Sequence, residues 1–263
     1  MEAIDAIMTR RSTRKYKAEM PEKDMIEKII EAGRYAPSGS NRQKTHFIVF
    51  TDKSILSKLA ELVKNEFSKM DAGPDTYVSL RNSINASKTA NYVFHYNAPV
   101  FIVVANKKGY GNAMADSACA LENMMIAANA LDLGSCWINQ LHWLDENENI
   151  RAFMKEYGLG EDETITGGLI LGYPEAGLPD RKPLERKGNP VTWVEQASGF
   201  DHERIQDYKN KSYSRGDNLL LLLGNELYGI TGSFEYRRRV HGSEPPLCSG
   251  VSGHDRAVLY AAR

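Results

Sequence analysis

The sequence predicts a domain of the mixed α/β or α+β class, a sheet under helical cover, and three observations carry that expectation. The runs HFIVF (46–50) and APVFIVVA (98–105) are β-branched and aromatic and have the length of buried strands. Segments with apolar residues at helical spacing stand between such runs. The two kinds of segment alternate up to about residue 195, an order that fits helices packed on a sheet.

Ile4, Ile7 and Met8 repeat at helical spacing and predict a short first helix. A second helix runs roughly from Glu22 to Tyr35, with Met25, Ile26, Ile29 and Ile30 on one face, and APSGSN (Ala36 to Asn41) stops it. An amphipathic helix follows HFIVF from about Ser54 to Phe67. Lys69 to Asn97 is polar, without a clean period before Tyr92, and reads as a connection. DSACALENMMIAANALDLG (Asp116 to Gly134) is apolar almost all round, which predicts a helix buried on most sides. SCWI (Ser135 to Ile138) reads as a strand, ENENIRAFMKEYG as a helix ending at Gly158, and TITGGLILGYP (Thr164 to Pro174) as a buried strand ending in a turn. After Gly199 no period is sustained except around NLLLLLGNELYGI. The expected organisation is therefore one domain over 1–198 and an extension of unknown role, weakly structured, over 199–263.

Composition narrows the function. Lys plus Arg number 33 against 34 Asp plus Glu in 263 residues, and the pI of about 6.6 excludes the overall basicity of a dedicated nucleic-acid binder. Any cationic site is local. Cys119, Cys136 and Cys248 form no CxxC pair and have no neighbouring His to suggest zinc, as expected of reduced thiols in a cytosol-like compartment. The start has no signal-peptide h-region, and Glu2, Asp5, Glu19 and Glu22 contradict an acid-poor transit peptide. Leu219 to Leu223 is far shorter than the ~20 residues of a membrane span. A cytoplasmic protein with neither a membrane nor a nucleic-acid partner is expected.

Three segments carry candidate chemistry. TRRSTRKYK (Thr9 to Lys17) holds five cationic side chains, and in extended chain Arg10, Ser12 and Arg14 point to one side. Two guanidiniums flanking a hydroxyl make a phosphate cradle, because planar forks bond phosphate oxygens in pairs; a solvated basic face is the competing reading. PSGSNRQ (Pro37 to Gln43) offers neutral donors and acceptors suited to a planar heterocycle, with Gly39 permitting close backbone approach, and also reads simply as a C-terminal turn. GYPEAGLPDRKPLERK (Gly172 to Lys187) places Arg181, Lys182, Arg186 and Lys187 in a Pro-rich loop that alone reads as an exposed linker.

In this order the segments resemble the nitroreductase family of flavoproteins, homodimers that hold FMN at the subunit interface. The resemblance covers roughly Ile4 to Trp193. RRSTRKYK matches the family's phosphate and flavin segment, APSGSNRQ its second flavin segment, LGSCWINQ (Leu133 to Gln140) the strand under the isoalloxazine ring, and LGYP with Arg181 the last strand and second phosphate-binding Arg. It implies an α+β fold, a mixed but mainly antiparallel sheet flanked by helices. It also implies that Arg10, Ser12 and Arg181 hold the phosphate and Arg14 serves the pyrimidine end of the ring, with Arg11 counted among the cofactor-binding residues of the segment or else facing solvent or the partner subunit. Pro37, Ser38, Gly39, Ser40 and Asn41 would line the ring or ribityl chain, Gln43 would support them, and Asn139 and Gln140 would lie near the central ring. Lys44 and Thr45 depart from the Pro-Trp of many relatives.

The implied activity is hydride transfer from NADH or NADPH through flavin N5 to a nitroaromatic, quinone or similar small acceptor, with ping-pong kinetics. No Ser-His-Asp or Cys-His constellation is expected, and the chain has no GxGxxG fingerprint after its first strand. The alternatives are another flavin branch, such as a reductive dehalogenase or a flavin-destroying enzyme, a flavin binder without turnover, and a nucleic-acid module built on Thr9 to Lys17 and Arg237 to Arg239.

Overall fold

The strongest strand of the sequence becomes the centre of the sheet. In this computed structural model, which describes residues 1–177, 182–194, 219–223 and 226–230, β2 (Val100–Lys107) is buried at every position before Lys107. It pairs with β1 (His46–Phe50) on one side and β4 (Glu163–Gly172) on the other, and β3 (Gly134–Ile138) completes the order β1-β2-β4-β3. All three ladders are antiparallel. The parallel component expected of a mixed sheet is confined, among the described residues, to a single bridge between Ser12 and Ser135.

Alternation along β2 builds two cores. Phe101, Val103 and Ala105 enter one cluster with Ile48, Phe50, Leu59, Phe67 and Met154, whereas Val100, Ile102 and Val104 enter the other with Ile26, Ile29, Leu121 and Met124. Each fully buried aliphatic or aromatic side chain contributes about 1.5–3 kcal/mol. Gly168 on β4 is required by this packing, because a Cβ there would lie 2.5 Å from the Phe101 ring. The fold is α+β, with helices on both faces of an antiparallel sheet.

Helices α2 (Lys23–Arg34), α3 (Lys53–Ser68) and α7 (Glu148–Glu156) form where apolar spacing predicts them. Asp52 caps α3 by accepting from the Ser54 and Ile55 amides at 2.8 and 3.0 Å, and Asn147 caps α7 at the Ile150 amide. The polar connection after Lys69 contains a helix the sequence does not announce, α4 (Val78–Ser87). It has no side-chain cap and buries only Ser83, Ile84 and Ser87, so packing rather than periodicity specifies it. A short α6 (Gln140–Trp143) follows β3.

The burial of two helices is set by tertiary contacts. In α1 (Ala3–Thr9) the apolar residues Ile4, Ile7 and Met8 face outward, and small Ala6 and Thr9 make the contact. Asn129 enforces this by donating to the Ala6 carbonyl and Thr9 Oγ1 at 2.9 and 3.0 Å. Helix α5 (Ala113–Ala130) begins three residues before the expected run, at positions where Met114 and Ala115 are exposed; from Asp116 onwards every position of the helix but Cys119 is buried or half-buried, as expected of a helix covered on most sides. No helix among the described residues is long and apolar enough to cross a membrane, and none of their His, Cys, Asp and Glu side chains form a cluster that could hold a metal ion.

The contacts divide the chain into Met1–Asn189 and Pro190–Arg263, a few residues before the change of pattern at Gly199. Within the second unit NLLLLLGNELYGI supplies an antiparallel pair, β5 (Leu219–Leu223) and β6 (Glu226–Ile230). The rest of the 199–263 extension, Cys248 and Arg237 to Arg239 lie outside the described residues.

Candidate functional site

The basic segment leaves α1 at Arg10, whose ψ of 137° ends the helix, and runs extended along the sheet. Ser12 bridges Ser135, the Thr13 amide donates to the Ser135 carbonyl at 2.9 Å, and the Lys17 amide donates to the Tyr173 carbonyl at 2.9 Å. The Glu175 amide closes the other side on the Lys15 carbonyl at 3.1 Å. Gly134 makes this approach possible, since a Cβ there would meet Thr13 Oγ1 at 2.7 Å. The half-buried Tyr16 anchors the strip by donating to the Thr13 carbonyl at 2.6 Å, and burial pushes its phenol well above the usual range.

Arg10, Ser12 and Arg14 share a side. All three act on the Cys136 thiol: burial pushes that thiol up, opposed by the Arg14 charge, a Ser12 hydrogen bond and the Arg10 charge. Arg10 also lies 3.8 Å from Glu122. Arg14 is exposed and has no carboxylate partner among the described residues. Arg11 is engaged differently, donating to the carbonyls of Met8, Arg10 and Lys182 at 3.3, 2.9 and 2.6 Å. An open cavity of about 280 Å³ is lined by Arg11 to Lys15 and by residues 174–177. Arg181 lies outside the described residues.

The second segment is a turn built from left-handed residues. Ser40, Asn41 and Gln43 have φ of 53°, 52° and 51°, a conformation that costs roughly 1–2 kcal/mol per non-glycine residue. Internal bonds support it: the Gln43 amide donates to Ser38 Oγ at 3.0 Å and Gln43 Nε2 to Asn41 Oδ1 at 2.9 Å. Pro37, Ser40, Asn41 and Gln43 are exposed, with Ser38 and Gly39 half-buried. Two residues the sequence reading missed hold Gly39: Asp116 Oδ1 accepts its amide at 3.0 Å and Tyr110 OH lies 3.3 Å from its carbonyl. No local pattern marks either, because the contacts span 77 and 71 positions.

At the end of β3, Trp137 Nε1 donates to Asn139 Oδ1 at 2.6 Å. That bond orients the amide and leaves the Nδ2 hydrogens available. Gln140 is turned inward: buried, with Nε2 3.4 Å from Ser83 Oγ on α4 and Oε1 without a hydrogen-bond partner among the described residues. The first segment thus meets β3 at Ser135 and the third segment at residues 173–175, and the turn at 38–43 does not line the cavity formed there.

Known proteins share this architecture. The sequence model of the Nitroreductase family matches residues 7–173. A nitroreductase of Bacteroides fragilis, crystallised with bound FMN, is 34% identical, with a TM-score of 0.66 over 74% of this chain and 100% of its own. An Archaeoglobus fulgidus protein is 30% identical over 179 residues, 66% of this chain and 86% of its own. The FMN reductase [NAD(P)H] of Bacillus subtilis is 25% identical over 217 residues, 80% of this chain and 84% of its own. The match begins within α1, takes in the basic strip, the left-handed turn and all four strands of the sheet, and stops at Tyr173. By that extent the chain belongs to the nitroreductase family.

Proposed function

We propose that the chain binds FMN between two copies of itself and catalyses hydride transfer from NADH or NADPH to a nitroaromatic, quinone or similar small acceptor, with ping-pong kinetics. The observation that carries the reading is the basic strip against β3, where Arg10, Ser12 and Arg14 converge and Arg14 has no carboxylate partner among the described residues.

These residues suit FMN chemically. Arg10 and Ser12 offer charge-assisted and hydroxyl donors to a phosphate, a role that the family resemblance extends to Arg181 outside the described residues, and Arg11 braces the strip through its carbonyl contacts. Arg14 places a permanent cation for the pyrimidine end of the ring, where negative charge collects on reduction. Asn139, its oxygen occupied by Trp137, presents Nδ2 as a donor towards the central ring, and Gln140 supports that corner from inside. When bound, FMN supplies the redox chemistry by accepting hydride at N5 and returning electrons to the acceptor.

The division of the site supports a homodimer. The turn formed by Pro37, Ser38, Gly39, Ser40, Asn41 and Gln43 does not line the chain's own cavity and leaves Ser40, Asn41 and Gln43 exposed, so a second copy is the partner that brings both segments onto one cofactor. Ile4, Ile7, Met8 and Met114 supply exposed apolar area for such an interface.

The deciding experiment is the visible spectrum of the purified full chain before and after anaerobic addition of NADH or NADPH. A yellow protein that bleaches supports the proposal. A colourless protein that does not take up added FMN overturns it. Turnover of a nitroaromatic or quinone, against that of a halogenated phenol, separates this activity from reductive dehalogenation.

A further inference from the structure

Asp116 is a buried carboxylate, 5% exposed, in the first turn of α5, and its oxygens are directed at a different part of the chain. Oδ1 accepts the Gly39 amide at 3.0 Å and Oδ2 accepts the Tyr110 hydroxyl at 3.0 Å, and that hydroxyl also lies 3.3 Å from the Gly39 carbonyl. Both main-chain polar groups of Gly39 therefore face one Asp-Tyr pair. The fit is close: a Cβ on Gly39 would stand 2.4 Å from Asn112 Nδ2 and 2.5 Å from Tyr110 OH, so a larger residue displaces these side-chain ends, the Tyr110 hydroxyl of the clamp among them.

A second anchor holds the far end of the turn. Asn106, fully buried, places Nδ2 3.3 Å from Thr45 Oγ1, 3.4 Å from the Ala113 carbonyl and 3.5 Å from Ser117 Oγ. Between the anchors lie Ser40, Asn41 and Gln43 in the left-handed region, and Arg42, whose guanidinium sits 5.2 Å above the Tyr110 ring. A turn with three such residues persists only when its surroundings over-determine it.

We infer that Asp116, acting with Tyr110, is the positioning residue that locks the 38–43 turn into the strained shape in which it meets FMN. This rests on the FMN reading above. The competing role for Asp116 is local: a carboxylate in a helix's first turn stabilises the helix through its dipole. The two roles separate on one substitution. In Asp116→Asn, Oδ1 still accepts from Gly39 while Nδ2 donates to the Tyr110 oxygen, which then gives its own hydrogen to the Gly39 carbonyl. The clamp survives and the charge is lost. In Asp116→Ala both are lost.

The test is titration of the full-length apoprotein with FMN, followed by flavin fluorescence, with the visible spectrum of the bound flavin and thermal unfolding recorded on the same samples. Asp116→Ala is expected to weaken FMN binding roughly tenfold or more and to alter the bound flavin's absorption band, with Asp116→Asn within about threefold of wild type. Gly39→Ala, whose Cβ crowds the Tyr110 hydroxyl and so disturbs the clamp from the side of the turn, should match Asp116→Ala, and Tyr110→Phe should fall between; these two variants carry the test if Asp116→Ala does not fold. FMN binding by Gly39→Ala or Asp116→Ala at wild-type strength overturns the inference, as does an equal loss in Asp116→Asn and Asp116→Ala. Wild-type protein that binds no FMN overturns the functional reading and this inference together, a different result from tight binding by the variants.

Discussion

Trp137 and Asn139, two positions apart, are joined by an indole-to-amide hydrogen bond of 2.6 Å. Gly167 on the neighbouring strand leaves room for the indole, since a Cβ there would lie 2.9 Å from Trp137 Nε1. If the orientation of Asn139 serves the ring, Trp137→Phe should lower kcat/KM for NADH roughly three- to tenfold with FMN affinity unchanged. The double variant Trp137→Phe/Asn139→Ala should be no slower than Asn139→Ala alone, because the indole acts only through the amide. Additive losses in steady-state assays would argue against that coupling.

Of the three arginines of the strip, Arg14 has the clearest freedom to act on a ligand: it is exposed, whereas Arg10 approaches Glu122 and Arg11 is held by three carbonyls. Arg14→Ala should slow flavin reduction by NADH roughly 10- to 100-fold in stopped flow while FMN binding changes less. A variant that is reduced at the normal rate but loses its flavin would place Arg14 at the phosphate instead.

The legible parts of this protein are those in which local chemistry and tertiary environment agree. The core of APVFIVVA forms a strand because branched and aromatic side chains fill both faces of a buried sheet, and HFIVF pairs beside it at the sheet's edge, burying Ile48 and Phe50 while Val49 is exposed. The strand order was beyond periodicity, because β4 inserts between β2 and β3 through contacts distant in sequence. Helix α4 escaped because it buries serines beside one isoleucine. The apolar stripe of α1 was visible and its direction was not, since Asn129 recognises backbone and a hydroxyl on the opposite face. Of the candidate site, the basic strip and the turn could be read from residue types, but their supports, Asp116, Tyr110 and Asn106, are polar residues whose purpose appears only once the chain is folded.

Glu66 ties α3 to the start of α7. Its side chain, 7% exposed, accepts from Lys69 at 2.6 Å, Asn147 at 2.9 Å and Asn149 at 3.0 Å. The Lys69 hydrogen bond, helped by the two asparagines and opposed by burial, holds the carboxyl below its ordinary value of 4.5. As the folded value is depressed, the unfolded chain takes up a proton first on acidification. The resulting stability is present above pH 4.5 and is lost as pH falls through the folded value. Glu66→Gln should cost about 1–3 kcal/mol at pH 7 and flatten the acid limb of stability in urea titrations. An unchanged acid limb would assign that limb to other carboxylates.

His95 acts in a higher pH window. It is 6% exposed, stacks edge-on to Phe94 with ring centroids 5.2 Å apart, and its Nδ1 has no hydrogen-bond partner among the described residues. Burial lowers its pKa from 6.5 to about 4, opposed by backbone groups of Ala98 and of His95 itself. The folded protein thus keeps the ring neutral at pH values where the unfolded chain protonates it. Stability is fully present above pH 6.5 and declines as pH falls towards about 4, by on the order of 2–3 kcal/mol. His95→Gln, which cannot titrate, should remove this decline while leaving the steeper loss at lower pH, including that of Glu66, in place. Equilibrium unfolding in urea at half-unit steps from pH 7 to pH 4 measures it, and a variant that retains the wild-type slope across that range would show that the ring is accessible to protons in the folded state.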